Sequence, residues 1–118
     1  MGERVVGQGT GHRLENRLPG GDVNPYLALA GMIAAGLYGV DRELEPPEPC
    51  TGNAYAGELP HVPATLREAA ELWDGSELAR TAFGDEVVDH YAHTARVEQG
   101  AYDTAVTDWE RYRSFERL

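Results

Sequence analysis

The stretch Arg13-Leu14-Glu15-Asn16-Arg17, with Pro19 after it and Asn24-Pro25-Tyr26-Leu27-Ala28 close behind, sets the organisation of this 118-residue chain. Arg13, Glu15 and Arg17 alternate with Leu14, Asn16 and Leu18, the period of a strand whose successive side chains point to opposite faces. Pro19, Gly20 and Gly21 end that strand. Asn24 then supplies an N-cap oxygen and Pro25 a residue suited to the first helical turn, so a helix is predicted to start there.

Upstream, residues 4–7 have strand character, and Gly7, Gly9, Thr10 and Gly11 supply turn residues, which predicts a hairpin over 3–18. Downstream, Leu27, Leu29, Met32, Ile33 and Leu37 are spread around the helix over 24–40 with only small Ala and Gly between them. That pattern predicts a helix buried by neighbours on every side, part of whose enclosure lies outside this chain. Five prolines with Gly52 and Gly57 make 41–64 a loop.

Residues 65–118 read as helical. Thr65 with Glu68 forms a capping box, the helix runs through Trp73, and Gly75 stops it. Ser76 starts a second helix that Gly84 ends. From Asp85 onward Val88, Tyr91, Ala95, Tyr102, Trp109 and Tyr112 recur on one side as a seam, with Gly100 a predicted bend or break. Glu98 falls in that seam and is expected to be a buried partner for an arginine. The fold class expected is α+β: one domain, a short β-hairpin followed by a mainly helical segment.

Ten arginines, no lysine and twenty acidic residues give a net charge of −10, which argues against a nucleic-acid partner or an anionic membrane surface. The excess lies beyond residue 40, because Arg4, Arg13 and Arg17 balance Glu3, Glu15 and Asp22. An anion site therefore belongs in the first third. Cys50 is the single cysteine and has no Cys/His cluster beside it, which suits a reducing, cytoplasmic setting. The uncharged run 26–40 is shorter than the roughly 20 residues a membrane span needs.

Two guanidiniums flanking a carboxylate, at about 7 Å between same-face neighbours, suit a phosphorylated or carboxylate ligand with a bridging metal. On composition alone the plainer reading is a solvated strand face carrying weak ion pairs. His90 and His93 with Glu86 one turn earlier have a metal-compatible spacing, but they flank the seam residue Tyr91 with a single carboxylate as third ligand, so the plainer reading is a solvated helix face.

The R-x-E-x-R strand, Pro19, N-P-Y-L-A at 24–28, Ala35-Gly36-Leu37 and Gly39-Val40 together resemble the run that closes the catalytic barrel of glutamine synthetases. Gly52-Asn53-Ala54-Tyr55, Leu66 to Ala69 and Val106-Thr107-Asp108-Trp109-Glu110 resemble later motifs of the same family, in the same order. The resemblance implies the C-terminal part of a glutamine synthetase-type catalytic domain. It implies an ATP-dependent ligase with Mg2+ or Mn2+, which phosphorylates glutamate and joins it to ammonia or an amine, working as a homo-oligomer. Residue by residue, Glu15 matches a metal ligand, Arg17 a glutamate contact, and Arg13 and Arg4 arginines on the ATP phosphates, Arg13 counting as catalytic.

Departures limit what this chain does alone. Met1-Gly2-Glu3 stands where the family has a further arginine, Gly11 and His12 replace its lysine, and most metal ligands belong to earlier family sequence. Pro19-Gly20-Gly21-Asp22 replaces the P-D-P-x form of ammonia users and is closer to ligases of the γ-glutamyl-polyamine or ethanolamine type. Tyr55 aligns near a tyrosine that some bacterial members adenylylate, without the acidic context found there. The expectation is a fragment inactive by itself; the alternative is a non-catalytic remnant acting at most as an acidic helical association module.

Overall fold

A computed structural model describes residues 4–6, 9–49, 52–53, 60–115 and 117. It divides into two units, Met1–His61 and Val62–Leu118. The first contains strand β1 (Arg4–Val6), a 3-10 turn at Gly9–Gly11, strand β2 (Arg13–Glu15) and helix α1 (Pro25–Asp41). β1 and β2 pair antiparallel, with Arg4 opposite Glu15, Val5 opposite Leu14 and Val6 opposite Arg13. Gly9 turns the chain at φ +56°, where a side chain is disfavoured, and the His12 ring closes the turn at 3.0 Å from the Gly9 carbonyl.

The hairpin pairs Arg4–Val6 with Arg13–Glu15, and β2 ends at Glu15; residues 3, 7 and 8 of the predicted 3–18 hairpin lie outside the described residues. Asn16 Oδ1 accepts the Leu18 N–H at 3.0 Å, so the backbone leaves the ladder after Glu15 for a local side-chain turn. Asn24 caps α1 as its sequence implies, accepting from the N–H groups of Tyr26 (3.0 Å) and Leu27 (3.4 Å), with Pro25 at the first helical position. At the other end, Leu44 N–H reaches Gly39 O at 2.9 Å and Glu43 N–H reaches Val40 O at 3.1 Å. Glu43 occupies the left-handed position, φ +50°, that such a helix end normally gives to glycine.

Within this chain α1 lacks the enclosure its apolar pattern asks for, part of which was expected to lie outside the chain. None of its residues is buried, and Ile33 and Leu37 keep 63% and 60% of their surface exposed. An apolar pattern all round requires cover on all sides, and the first unit has no further helix among the described residues to supply it. The described residues of the proline-rich segment, 44–49, 52–53 and 60–63, form no helix or strand; Cys50 and Tyr55 lie outside the described residues.

The second unit contains α2 (Leu66–Asp74), α3 (Glu77–Phe83), α4 (Asp85–Thr104) and α5 (Asp108–Phe115). Thr65 Oγ1 caps α2 by accepting the Glu68 N–H, while Glu68 reaches back to the Ala64 N–H at 2.9 Å, one residue before the expected donor. Ser76 caps α3, and Gly84 ends it. Helix α4 runs through Gly100 without a break. The interruption falls at 105–107 instead, where Thr107 and Glu110 form a second capping box: Glu110 accepts the Thr107 N–H at 2.8 Å, and Thr107 Oγ1 accepts the Glu110 N–H.

Ala70, Ala79, Val88 and Ala92 are the buried apolar residues, where α2 and α3 pack on the first half of α4. Trp73 donates its indole N–H to Val88 O at 3.0 Å and stands 5.9 Å from the Phe83 ring and 6.5 Å from the Tyr91 ring. The seam beyond Ala95 is uncovered, so Tyr102, Trp109 and Tyr112 are exposed, and Glu98 is exposed rather than buried. Burial follows the partner helices, which end before the apolar period does.

Ion pairs hold the α2–α3–α4 corner. Arg80 donates to Asp74 Oδ1 (2.6 Å), Asp85 (2.7 Å) and Asp89 (3.1 Å), and Arg96 pairs with the other oxygen of Asp74. Arg67 bridges α2 to Asp103 of α4 at 2.7 Å. The hydrogen bond from Arg96, with the nearby Arg80, lowers the Asp74 pKa. Gln99 and Arg67 lower that of Asp103, and the Thr107 backbone and hydroxyl lower that of Glu110. A carboxyl group with a depressed folded pKa adds stability above its unfolded pKa and loses it as pH falls through the folded value. Helical circular dichroism should therefore hold from neutral pH to about pH 5 and decline below about pH 4; an unchanged signal at about pH 2 would contradict these pairings as stabilising.

Candidate active site

Glu15 closes β2, and the alternation predicted from sequence puts Arg17 beside it. Arg17 Nε donates to Glu15 Oε1 at 2.9 Å and its Nη2 donates to the same oxygen. The pair survives the end of the strand because the Asn16 turn keeps residues 15 and 17 on one side. Both side chains are partly exposed, so the pair is open to solvent and to ligands. Arg13 lies two residues before Glu15 on β2 and is exposed, and the register sets Arg4 opposite Glu15 across the hairpin. The structure thus gathers at one hairpin the four positions that sequence reading assigned to the site.

The side-chain turn of Asn16 was not read from sequence, although an Asx residue two places before the N–H it takes signals it. Arg17 pairs with Glu15, the ion pair that the plainer reading of this strand face allowed. An arginine has five donor hydrogens, so two to Glu15 leave three for another anion.

The donor set bears on what this hairpin can bind. A divalent ion of the magnesium class takes about six oxygen ligands, and the hairpin offers one carboxylate among arginines. Glu15 could fill one position of such an ion's coordination sphere beside the arginines, and the other ligands would have to come from outside this hairpin. Among the described residues no three His, Cys, Asp or Glu side chains are grouped to hold a metal. His90 and His93 lie exposed on α4.

The model of the glutamine synthetase catalytic domain matches residues 3–114. The chain belongs to the glutamine synthetase family. It is 68% identical over 115 residues to the γ-glutamylethanolamide synthetase of Streptomyces coelicolor, covering 98% of this chain and 25% of that protein. It is 41% identical over 112 residues to a glutamate–isopropylamine ligase of a Pseudomonas species, covering 92% of this chain and 24% of the relative. With the glutamine synthetase of Thermus thermophilus it shares 38% identity over 111 residues, covering 87% and 25%. The chain spans about a quarter of the length of these relatives. The relatives named here are ligases and synthetases.

The roles that the resemblance implies for Glu15 and Arg17 can be told apart by kinetics once the chain is joined to the preceding three quarters of the Streptomyces relative. Glu15→Gln keeps shape but removes the charge a divalent ion needs, and should lower kcat about 100-fold or more. Arg17→Ala should chiefly raise the KM for glutamate by roughly 10- to 100-fold, the loss of a charged hydrogen bond. Magnesium and glutamate titrations of both variants decide this, and near-normal activity of Glu15→Gln would return the strand to a solvated face.

Proposed function

We propose that the chain forms the C-terminal part of the catalytic domain of an ATP-dependent ligase that joins glutamate to a small primary amine, with ethanolamine the first candidate acceptor. The observation that carries this reading is the 68% identity to a protein named for γ-glutamylethanolamide synthesis, over nearly the whole chain. A second amine-joining relative supports it. The Pro19-Gly20-Gly21-Asp22 turn, unlike that of ammonia users, points the same way.

In this reading the γ-carboxylate of glutamate attacks the terminal phosphorus of ATP, ADP leaves, and γ-glutamyl phosphate forms. The neutral amine then attacks the acyl carbon; phosphate departs, and the amine gives up a proton as the amide forms. Divalent magnesium or manganese supplies neutralisation of the phosphate oxygens when bound. Glu15 contributes one anionic oxygen to that ion. Arg17, held by Glu15, presents its remaining donors to the carboxylate of glutamate, a planar pairing that fixes orientation. Arg13 and Arg4 stabilise charge on the phosphates as the bond to ADP breaks. The ligase is placed in the cytoplasm and works as a homo-oligomer.

The test is a comparison of acceptors using the chain joined to the rest of the catalytic domain, with the 118-residue chain alone as control. Ethanolamine should give ADP and an amide of the matching mass at a kcat/KM at least about tenfold above ammonia, a difference of about 1.4 kcal/mol. The chain alone should give no product. Preference for ammonia would overturn the acceptor assignment, and turnover by the isolated chain would overturn the view that it is one part of a site.

A further inference from the structure

Helix α3 differs from its neighbours in how it is held. It has seven residues, too few to persist without tertiary contacts, and it runs between two glycines. Gly75 caps α2, and Gly84 lies at φ 81°, ψ 159°, a conformation essentially confined to glycine. Its apolar anchors are Ala79, which is buried, and the Phe83 ring against Trp73. Four of its side-chain hydrogen bonds to α2 and α4 are made by Arg80.

The Arg80 guanidinium meets carboxylates on both sides. Toward α2 it donates to the Asp74 carbonyl (3.0 Å) and to Asp74 Oδ1 (2.6 Å). Toward the first turns of α4 it donates to Asp85 (2.7 Å) and Asp89 (3.1 Å). Asp74 is also held by Arg96 of α4. By contrast, α2 and α4 pair directly and without α3, through the Trp73–Val88 hydrogen bond, the Arg67–Asp103 bridge and the buried Ala70, Val88 and Ala92. Removing α3 leaves that pairing its own contacts.

We propose that α3 is a detachable clasp, a short helix on two glycine joints held closed by the Arg80 ion cluster, which opens locally while α2 and α4 remain paired. Opening breaks the Phe83–Trp73 contact and frees one oxygen of Asp74. Because Asp85 and Asp89 are mostly exposed, salt weakens the closed state: the screening length falls from about 10 Å at 0.1 M to about 3 Å at 1 M. Salt also screens the exposed Arg67–Asp103 and Arg96–Asp74 pairs between α2 and α4, but that pairing keeps the Trp73 hydrogen bond and the buried Ala70, Val88 and Ala92, which carry no charge.

Hydrogen exchange of the full 118-residue chain, followed by mass spectrometry at about 0.05 M and about 1 M salt, tests this. Exchange over 77–83 should rise about tenfold with salt while 88–99 changes less than about twofold. Arg80→Gln should bring 77–83 to the high-salt rate at low salt and abolish the salt response, and Arg80→Lys should restore part of it. In a Trp109→Phe background Trp73 is the single tryptophan, and its emission should shift to the red over the same salt range. Segments 77–83 and 88–99 exchanging together, or a salt-insensitive 77–83, would overturn the proposal. If Arg80→Gln fails to fold, the wild-type salt series decides alone.

Discussion

Among the described residues the side chains with less than a tenth of their surface exposed are Ala70, Ala79, Val88 and Ala92, and three of these four are alanines. That shortage of burial governs the rest of the structure. Apolar burial contributes in proportion to area removed from water, and alanines have little to remove. The second unit therefore relies on directed contacts: the Trp73 indole on a helix carbonyl, Arg67 on Asp103, and Arg80 with Arg96 around Asp74. The first unit leaves an apolar helix uncovered. Both observations agree with a chain that spans a quarter of its relatives, whose remaining sequence is available to cover α1.

The same incompleteness shapes the chemistry. A hairpin of two three-residue strands brings Arg4, Arg13, Glu15 and Arg17 to one place. Such a composition, one carboxylate among arginines, suits phosphate and carboxylate groups better than it encloses a metal. The Glu15–Arg17 pair sets the geometry, because each side chain limits where the other can go. An arginine so held meets an incoming carboxylate with fewer rotamers to lose.

Local signals were legible in the sequence where the responsible atoms are near neighbours. Asn24-Pro25, Thr65 with Glu68, Ser76, Gly75 and Gly84 all mark helix ends where expected, since caps are made within a few residues. The R-x-E-x-R alternation correctly placed Glu15 and Arg17 together. Misreadings arose where distant or competing contacts decide. The Asn16 side chain took an N–H that a longer strand would have used. Gly100 stayed helical because one glycine costs α4 only about 1 kcal/mol, while the break followed the Thr107–Glu110 box, visible as T-x-x-E but read as a family motif. Burial of Glu98 was misjudged because periodicity shows which surface asks for cover, not whether the chain contains the cover.

The proposed role of Glu15 is to supply an anionic oxygen to a divalent ion in a site completed by other sequence. Electron paramagnetic resonance of Mn2+ measures it directly, since bound ion loses the sharp signal of free Mn2+. With the chain joined to the preceding three quarters of the Streptomyces relative, the account predicts saturable Mn2+ binding that Glu15→Gln weakens at least about tenfold, with Arg17→Ala leaving it within about twofold. Identical Mn2+ binding by the Glu15→Gln variant and the unaltered protein would contradict it.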